Sequence, residues 1–105
     1  MDKIRILNDL KNNLISHLKE NLTDVILFGS QIEENVNPNS DYDILILVKK
    51  ELDWKSSRIV SNICYDIDLK YGILTDTHIL CEMDLQKHRG KQPIFETAIK
   101  NGIRA

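Results

Sequence analysis

Asp24-Val25-Ile26-Leu27-Phe28-Gly29-Ser30 and, after ten intervening residues, Asp41-Tyr42-Asp43-Ile44-Leu45-Ile46-Leu47-Val48 decide the fold of this 105-residue chain. Each is a short, continuous apolar run, too short and too rich in β-branched residues for a helix. Apolar residues on both faces of a strand call for a central place in a sheet that is covered on both sides. Gly29 closes the first run, where glycine lets the backbone turn sharply and come close to a ligand. Asp41 and Asp43 open the second run. Side chains two apart on a strand share a face, roughly 6.5–7 Å apart at the backbone.

Outward from these strands, the rest of the chain falls into place. Upstream, Ile4, Leu7, Leu10, Leu14, Leu18 and Leu22 recur every three or four residues with Ile15 beside them, which predicts a helix with one apolar stripe. Between the strands, Asn37-Pro38-Asn39-Ser40 is the concentrated loop signal. Downstream, Leu52, Ile59, Val60, Ile63 and Cys64 have helical spacing. Tyr65, Ile67, Leu69, Tyr71 and Ile73 then alternate with Asp66, Asp68, Lys70 and Gly72, which predicts a strand with one wetter face. Pro93 opens a last helix through Ile94, Phe95, Ala98 and Ile99, with Lys100 at its end and Gly102 just past it. Ile103 to Ala105 adds a terminal edge strand. The order helix, strand, loop, strand, helix, strand, helix describes an α+β or α/β layer, and residues 1–105 make a single domain.

Composition narrows the function. A formal net charge of −2 without a basic block argues against a nucleic-acid groove built on electrostatics. The start, Met1-Asp2-Lys3-Ile4-Arg5, is charged and runs into a helical pattern, unlike a signal peptide. No apolar stretch approaches the roughly 18 residues that cross a bilayer, so no membrane is expected as a partner. Cys64 and Cys81 are too few for a disulfide scaffold; two buried reduced thiols fit a cytoplasmic location.

The residue types point to phosphate and metal chemistry. After a buried strand, the Ser30 hydroxyl and the backbone N–H groups that follow it are able to donate to phosphate oxygens. Asp41 and Asp43 on one face suit a hard cation. A carboxylate that enters an apolar strand with no local Lys or Arg needs a positive partner, and a metal serves. Asp66 and Asp68, on one face of the expected third strand, would complete the set if that strand lay beside the second. His17, His78 and His88 show no metal-ligand spacing and read as surface or cap residues. No nucleophile elbow surrounds Ser30. Trp54 reads as a packing residue on a helix, and Lys87-His88-Arg89-Gly90-Lys91 as a solvated basic loop that, if it lay near a triphosphate site, could contact phosphates or a partner.

Taken together, Gly29-Ser30, the ten-residue spacing, and Asp41-Tyr42-Asp43 preceded by Ser40 and followed by Ile44-Leu45-Ile46 resemble the signature of DNA-polymerase-β-like nucleotidyltransferases. The match is closest to the minimal nucleotidyltransferase group, some of whose members are antitoxins to HEPN-domain toxins. The resemblance implies an α+β fold in which a small mixed sheet is flanked by helices. It implies that Gly29, Ser30 and Ser40 hold a nucleoside triphosphate and that Asp41 and Asp43 ligate Mg²⁺. The third acidic residue would be Asp66 or Asp68. The implied reaction moves a nucleoside monophosphate, AMP from ATP, onto a hydroxyl acceptor. A chain of this length leaves little for gripping an acceptor, so the acceptor surface is expected on a partner such as a HEPN-like toxin, or on a second subunit. After Ser30 the chain departs from the family pattern: Ile32-Glu33-Glu34 stands where many members have a small residue, an arginine and a glycine. Two acids there would repel a triphosphate if they pointed inward, and they favour the alternative of a non-catalytic partner-binding module that keeps the fold.

Overall fold

The computed structural model describes residues 3–29, 41–86 and 93–105. Helix α1 (Lys3–Leu18) leads through a single 3₁₀ turn (Lys19–Asn21) into strand β1 (Leu22–Phe28). Strand β2 (Tyr42–Val48), helix α2 (Trp54–Tyr71) and strand β3 (Thr75–Cys81) follow. The chain ends with short helix α3 (Glu82–Gln86), helix α4 (Pro93–Asn101) and strand β4 (Ile103–Arg104). The four strands form one mixed sheet in the order β3-β2-β1-β4. β2 is antiparallel to β1 and parallel to β3, and β4 pairs antiparallel with β1. The parallel β2–α2–β3 crossover is what a right-handed βαβ unit supplies.

The apolar runs of β1 and β2 serve two cores because the sheet is covered on both faces. Val25, Leu27, Ile44, Ile46 and Val48 face α1 and α2, meeting Ile6, Leu7, Leu10, Leu14 and Leu18 from one helix and Val60, Cys64 and Ile67 from the other. Ile26, Phe28, Leu45 and Leu47 point the opposite way, with Leu80, against Phe95 and Ala98 of α4. The expected stripe on α1 holds at Leu7, Leu10, Leu14 and Leu18, while Ile4 and Ile15 stay exposed, Ile6 takes a core place and Leu22 begins β1. Both thiols are free and buried, as expected. β4 closes the sheet edge through Gly102, which has no space for a side chain: a Cβ would come 2.5 Å from the Ala98 carbonyl oxygen. Arg104 fixes this edge by donating to Asp24 Oδ2 and to the Ile99 carbonyl, both at 2.7 Å.

The strand expected over 65–73 is the C-terminal half of α2. Asp53 caps that helix, its side chain accepting from Ser56 N–H at 2.7 Å, and Gly72 ends it in the left-handed conformation at φ 65°. Val60, Cys64 and Ile67, spaced four and three apart, form the buried stripe, and this helical period overrides the two-residue alternation that overlaps it. Tyr65 and Leu69, core-facing in a strand, are instead 61% and 66% exposed. Trp54 is 71% exposed in the first turn of α2, with Lys55 Nζ 5.7 Å from its ring centre, so it is not a packing residue. The true third strand is Thr75–Cys81.

Asp9 ties α1 to α2, accepting from Lys70 Nζ and from the Tyr71 hydroxyl, each at 2.7 Å. These donors hold its carboxyl below the usual carboxylate range, the Lys70 hydrogen bond contributing most.

Two tests follow from this packing. Ile67→Ala opens a cavity and costs about 2–4 kcal/mol by chemical denaturation, whereas Leu69→Ala changes stability by less than about 0.5 kcal/mol; a strand would make the two alike. Because the folded Asp9 carboxyl titrates below the ordinary aspartate value of about 3.9, its contribution is complete above that pH and lost as pH falls through the lowered folded value. Wild type is therefore more stable than Asp9→Asn at neutral pH, and the difference in melting temperature closes below about pH 4 and shrinks in high salt, since Lys70 is largely exposed.

Candidate metal and nucleotide site

The antiparallel register of β1 on β2 sets Phe28 opposite Asp43, and the parallel register of β2 on β3 sets Asp43 opposite Asp76. The C-terminal end of β1 and the N-terminal ends of β2 and β3 therefore meet at one corner of the sheet. Asp43 and Asp76 alternate with the residues that face α1 and α2, so both carboxylates lie on the α4 side. His78, two residues beyond Asp76 and opposite Leu45, shares that face. Asp43, Asp76 and His78 offer ligand atoms that all lie within 4.8 Å of one another. His78 Nε2 is 3.7 Å from Asp76 Oδ2. Its ring sits beside Phe28 and Phe95, with centroids 5.9 and 5.5 Å away.

Gly29 is the floor under Asp43. Its φ of +75° is one that side-chain-bearing residues seldom adopt, and a Cβ there would overlap the Asp43 carboxylate. Backbone thus stands where a side chain would otherwise separate the end of β1 from the acid. An open cleft of about 310 Å³ begins at this point, lined by Phe28, Gly29, Asp43, Pro93 and Thr97.

The electrostatics of the corner favour a cation. Burial pushes the Asp43 carboxyl up, and the Asp76 charge adds to the push; His78 opposes it, while Asp41 and a hydrogen bond with Asp76 raise it further. Asp41 stands exposed immediately before β2. Three acids share this corner, and the donor set of two carboxylates and an imidazole fits a divalent cation.

Of the residues singled out in the sequence, Gly29, Asp41 and Asp43 come together here. Asp66 and Asp68 do not. They lie on α2, which packs on the opposite face of the sheet; Asp66 is exposed, and Asp68 accepts from Thr75 N–H at 3.1 Å. The third carboxylate is Asp76, on the parallel neighbour of β2. Ser30, Ser40, Glu33, Glu34 and the Lys87 to Lys91 cluster with His88 fall outside the described residues. His78 is not a cap residue but a half-buried one on β3, its ring beside Phe28 and Phe95. A signal for this strand was present: Gly72 stops a helix, and Thr75, Thr77 and Ile79 then alternate with Asp76, His78 and Leu80.

Comparison with known proteins agrees with this geometry. Residues 8–104 match the family model described as polymerase beta, nucleotidyltransferase. A Methanocaldococcus jannaschii relative named as a protein adenylyltransferase is 38% identical over 74 residues, covering 70% of this chain and 75% of its own. Spectinomycin 9-adenylyltransferase of Enterococcus faecalis is 38% identical over 66 residues, but that match spans only 26% of the enzyme's length. The structure of the spectinomycin enzyme with ATP and spectinomycin superposes with a TM-score of 0.67 at 29% identity, covering 80% of this chain and 36% of the other. A mutant of the MntA–HpeT toxin–antitoxin pair shares the fold over 99% of this chain and 72% of its own, with a TM-score of 0.63 at 17% identity. With the Asp43–Asp76 corner, the Gly29 floor and a family match over nearly the whole chain, this protein belongs to the polymerase beta nucleotidyltransferase family.

Proposed function

We propose that the chain transfers AMP from ATP to a hydroxyl group on a partner protein, using a divalent cation held by Asp41, Asp43 and Asp76. The observation that carries this reading is the meeting of Asp43 and Asp76 over Gly29 at the mouth of an open cleft. A bound Mg²⁺ or similar cation would neutralise the triphosphate and polarise the α-phosphoryl group. The protein's own part is mainly positional. Gly29 lets the triphosphate approach the backbone, and Ser30 and Ser40 donate to its phosphate oxygens. Asp41 and Asp43 would hold the cation where its charge offsets that of the phosphates, while Asp76 accepts the proton of the acceptor hydroxyl. That hydroxyl attacks the α-phosphorus in line, the bond to the β-phosphate oxygen breaks, and pyrophosphate leaves.

The relatives support adenylyl transfer, since both curated matches carry that activity in their names. The protein acceptor is supported by the M. jannaschii relative, of which this chain covers three quarters, against a quarter of the spectinomycin enzyme. A toxin of the HEPN type is the partner we favour, on the resemblance to the minimal group and on the fold shared with the MntA–HpeT pair. The cytoplasm is the compartment that supplies ATP and keeps Cys64 and Cys81 reduced.

Calorimetric titration of ATP with and without Mg²⁺ tests the site. Wild type binds in a Mg²⁺-dependent way; Asp43→Asn and Asp76→Asn each weaken binding by more than about tenfold, whereas Asp66→Asn matches wild type. Well-folded wild type that binds no nucleoside triphosphate would make the chain a partner-binding module instead. Asp43→Asn also raises the melting temperature of the metal-free protein at neutral pH. The raised Asp43 pKa means that its ionised form costs stability, and that cost is relieved as pH falls through the folded value. Gly29→Ala costs about 1–2 kcal/mol from its left-handed backbone and weakens Mg²⁺-dependent ATP binding more than this loss explains, by displacing the Asp43 carboxylate.

A further inference from the structure

We propose that His78 is a further protein ligand of the cation beside the carboxylates, making a nitrogen–oxygen site that prefers Mn²⁺ or Co²⁺ to Mg²⁺. The inference rests on the reading of Asp43 and Asp76 as a cation site and adds the metal's chemical class. Asp43 and Asp76 are oxygen donors, which suit Mg²⁺ and Mn²⁺ alike. An imidazole alters the balance: nitrogen ligands favour transition-metal dications, whereas Mg²⁺ keeps oxygen ligands and its water.

Three observations place the imidazole in the site. His78 lies on the same face of β3 as Asp76, one strand from Asp43, and its ligand nitrogen is within 4.8 Å of an oxygen from each. Two ligands of one ion at about 2.1 Å stand about 3 Å apart when adjacent and about 4.2 Å when opposite, so side-chain rotations that draw the cluster in from its 4.8 Å limit would let it share one ion. The 3.7 Å between His78 Nε2 and Asp76 Oδ2 is too long for a hydrogen bond and suitable for two ligands sharing an ion. The ring is also held rather than free: Phe28 and Phe95 lie beside it, so little entropy is lost when the nitrogen binds. His78's place in the sequence, two residues after an acid, does not by itself show this arrangement.

Pulsed electron paramagnetic resonance with Mn²⁺ alone, on the wild-type protein and on His78→Gln, tests the proposal. Coupling from a directly bound ¹⁴N nucleus, absent in His78→Gln, is the expected result. Titration calorimetry with MnCl₂, CoCl₂ and MgCl₂ should show Mn²⁺ and Co²⁺ binding more tightly than Mg²⁺. In His78→Gln the Mn²⁺ and Co²⁺ affinities should fall by about tenfold, with Mg²⁺ affinity nearly unchanged and the fold confirmed by circular dichroism. Mn²⁺ bound through Asp43, as shown by loss in Asp43→Asn, but without nitrogen coupling would overturn the role of His78 and leave the cation site standing. Failure of wild type to bind Mn²⁺, or binding that Asp43→Asn does not change, would remove both readings together.

Discussion

The pairing of β1 with β2 governs the molecule. In that ladder Phe28 faces Asp43, and the next residue, Gly29, passes beneath the Asp43 carboxylate with no Cβ in the way. A slip of one residue would reverse every side chain on β1 relative to its neighbours, sending Val25 and Leu27 into the α4 core and Ile26 and Phe28 into the other. Because both cores are closely packed, the register is held from both sides. The same register then delivers one acid to the end of a buried strand.

That delivery has an energetic cost, and the cost explains the chemistry. Asp43 is partly buried next to Asp76 and near Asp41, with His78 as the opposing influence named above. Without a bound cation the corner is electrostatically unfavourable, which is how strain of this kind clusters at functional sites. Stability comes from elsewhere: from the α1 stripe of Leu7, Leu10, Leu14 and Leu18 and from the central strands. It also comes from edge ties such as Arg104 to Asp24. The scaffold is rigid where the acids sit, since they stand on strands that hydrogen-bond to one another rather than on loops. Positioning of that quality is what phosphoryl-type transfer asks of a protein.

Membership of the polymerase beta nucleotidyltransferase family rests on a match over residues 8–104, a span that contains the acidic corner. His78 links this corner to the α4 core. Its ring packs with Phe28 and Phe95, so the α4 core reaches directly into the site. A change in how α4 packs would be felt at the Asp43–Asp76 corner through this contact.

Local signals determined a good part of this arrangement. Continuous apolar runs are unambiguous when they are short and end in glycine or begin with acids, so β1, β2, Gly29, Asp41 and Asp43 were legible, as were α4 from Pro93 and the edge strand after Gly102. Over 65–73 two periods overlap in the same residues, and sequence alone does not say which face is buried. Only the packing of Val60, Cys64 and Ile67 against the α1 side of the sheet resolved the segment as helix and carried Asp66 and Asp68 away from the site. The third carboxylate was beyond reach for a further reason. Asp43 and Asp76 are 33 positions apart and meet through a parallel pairing, and such a contact depends on the crossover helix and the register of two strands. Sequence therefore determined which residues could make strands and which acids stood at their ends. Tertiary structure decided which acids face each other, because that depends on non-local register, which no local pattern encodes.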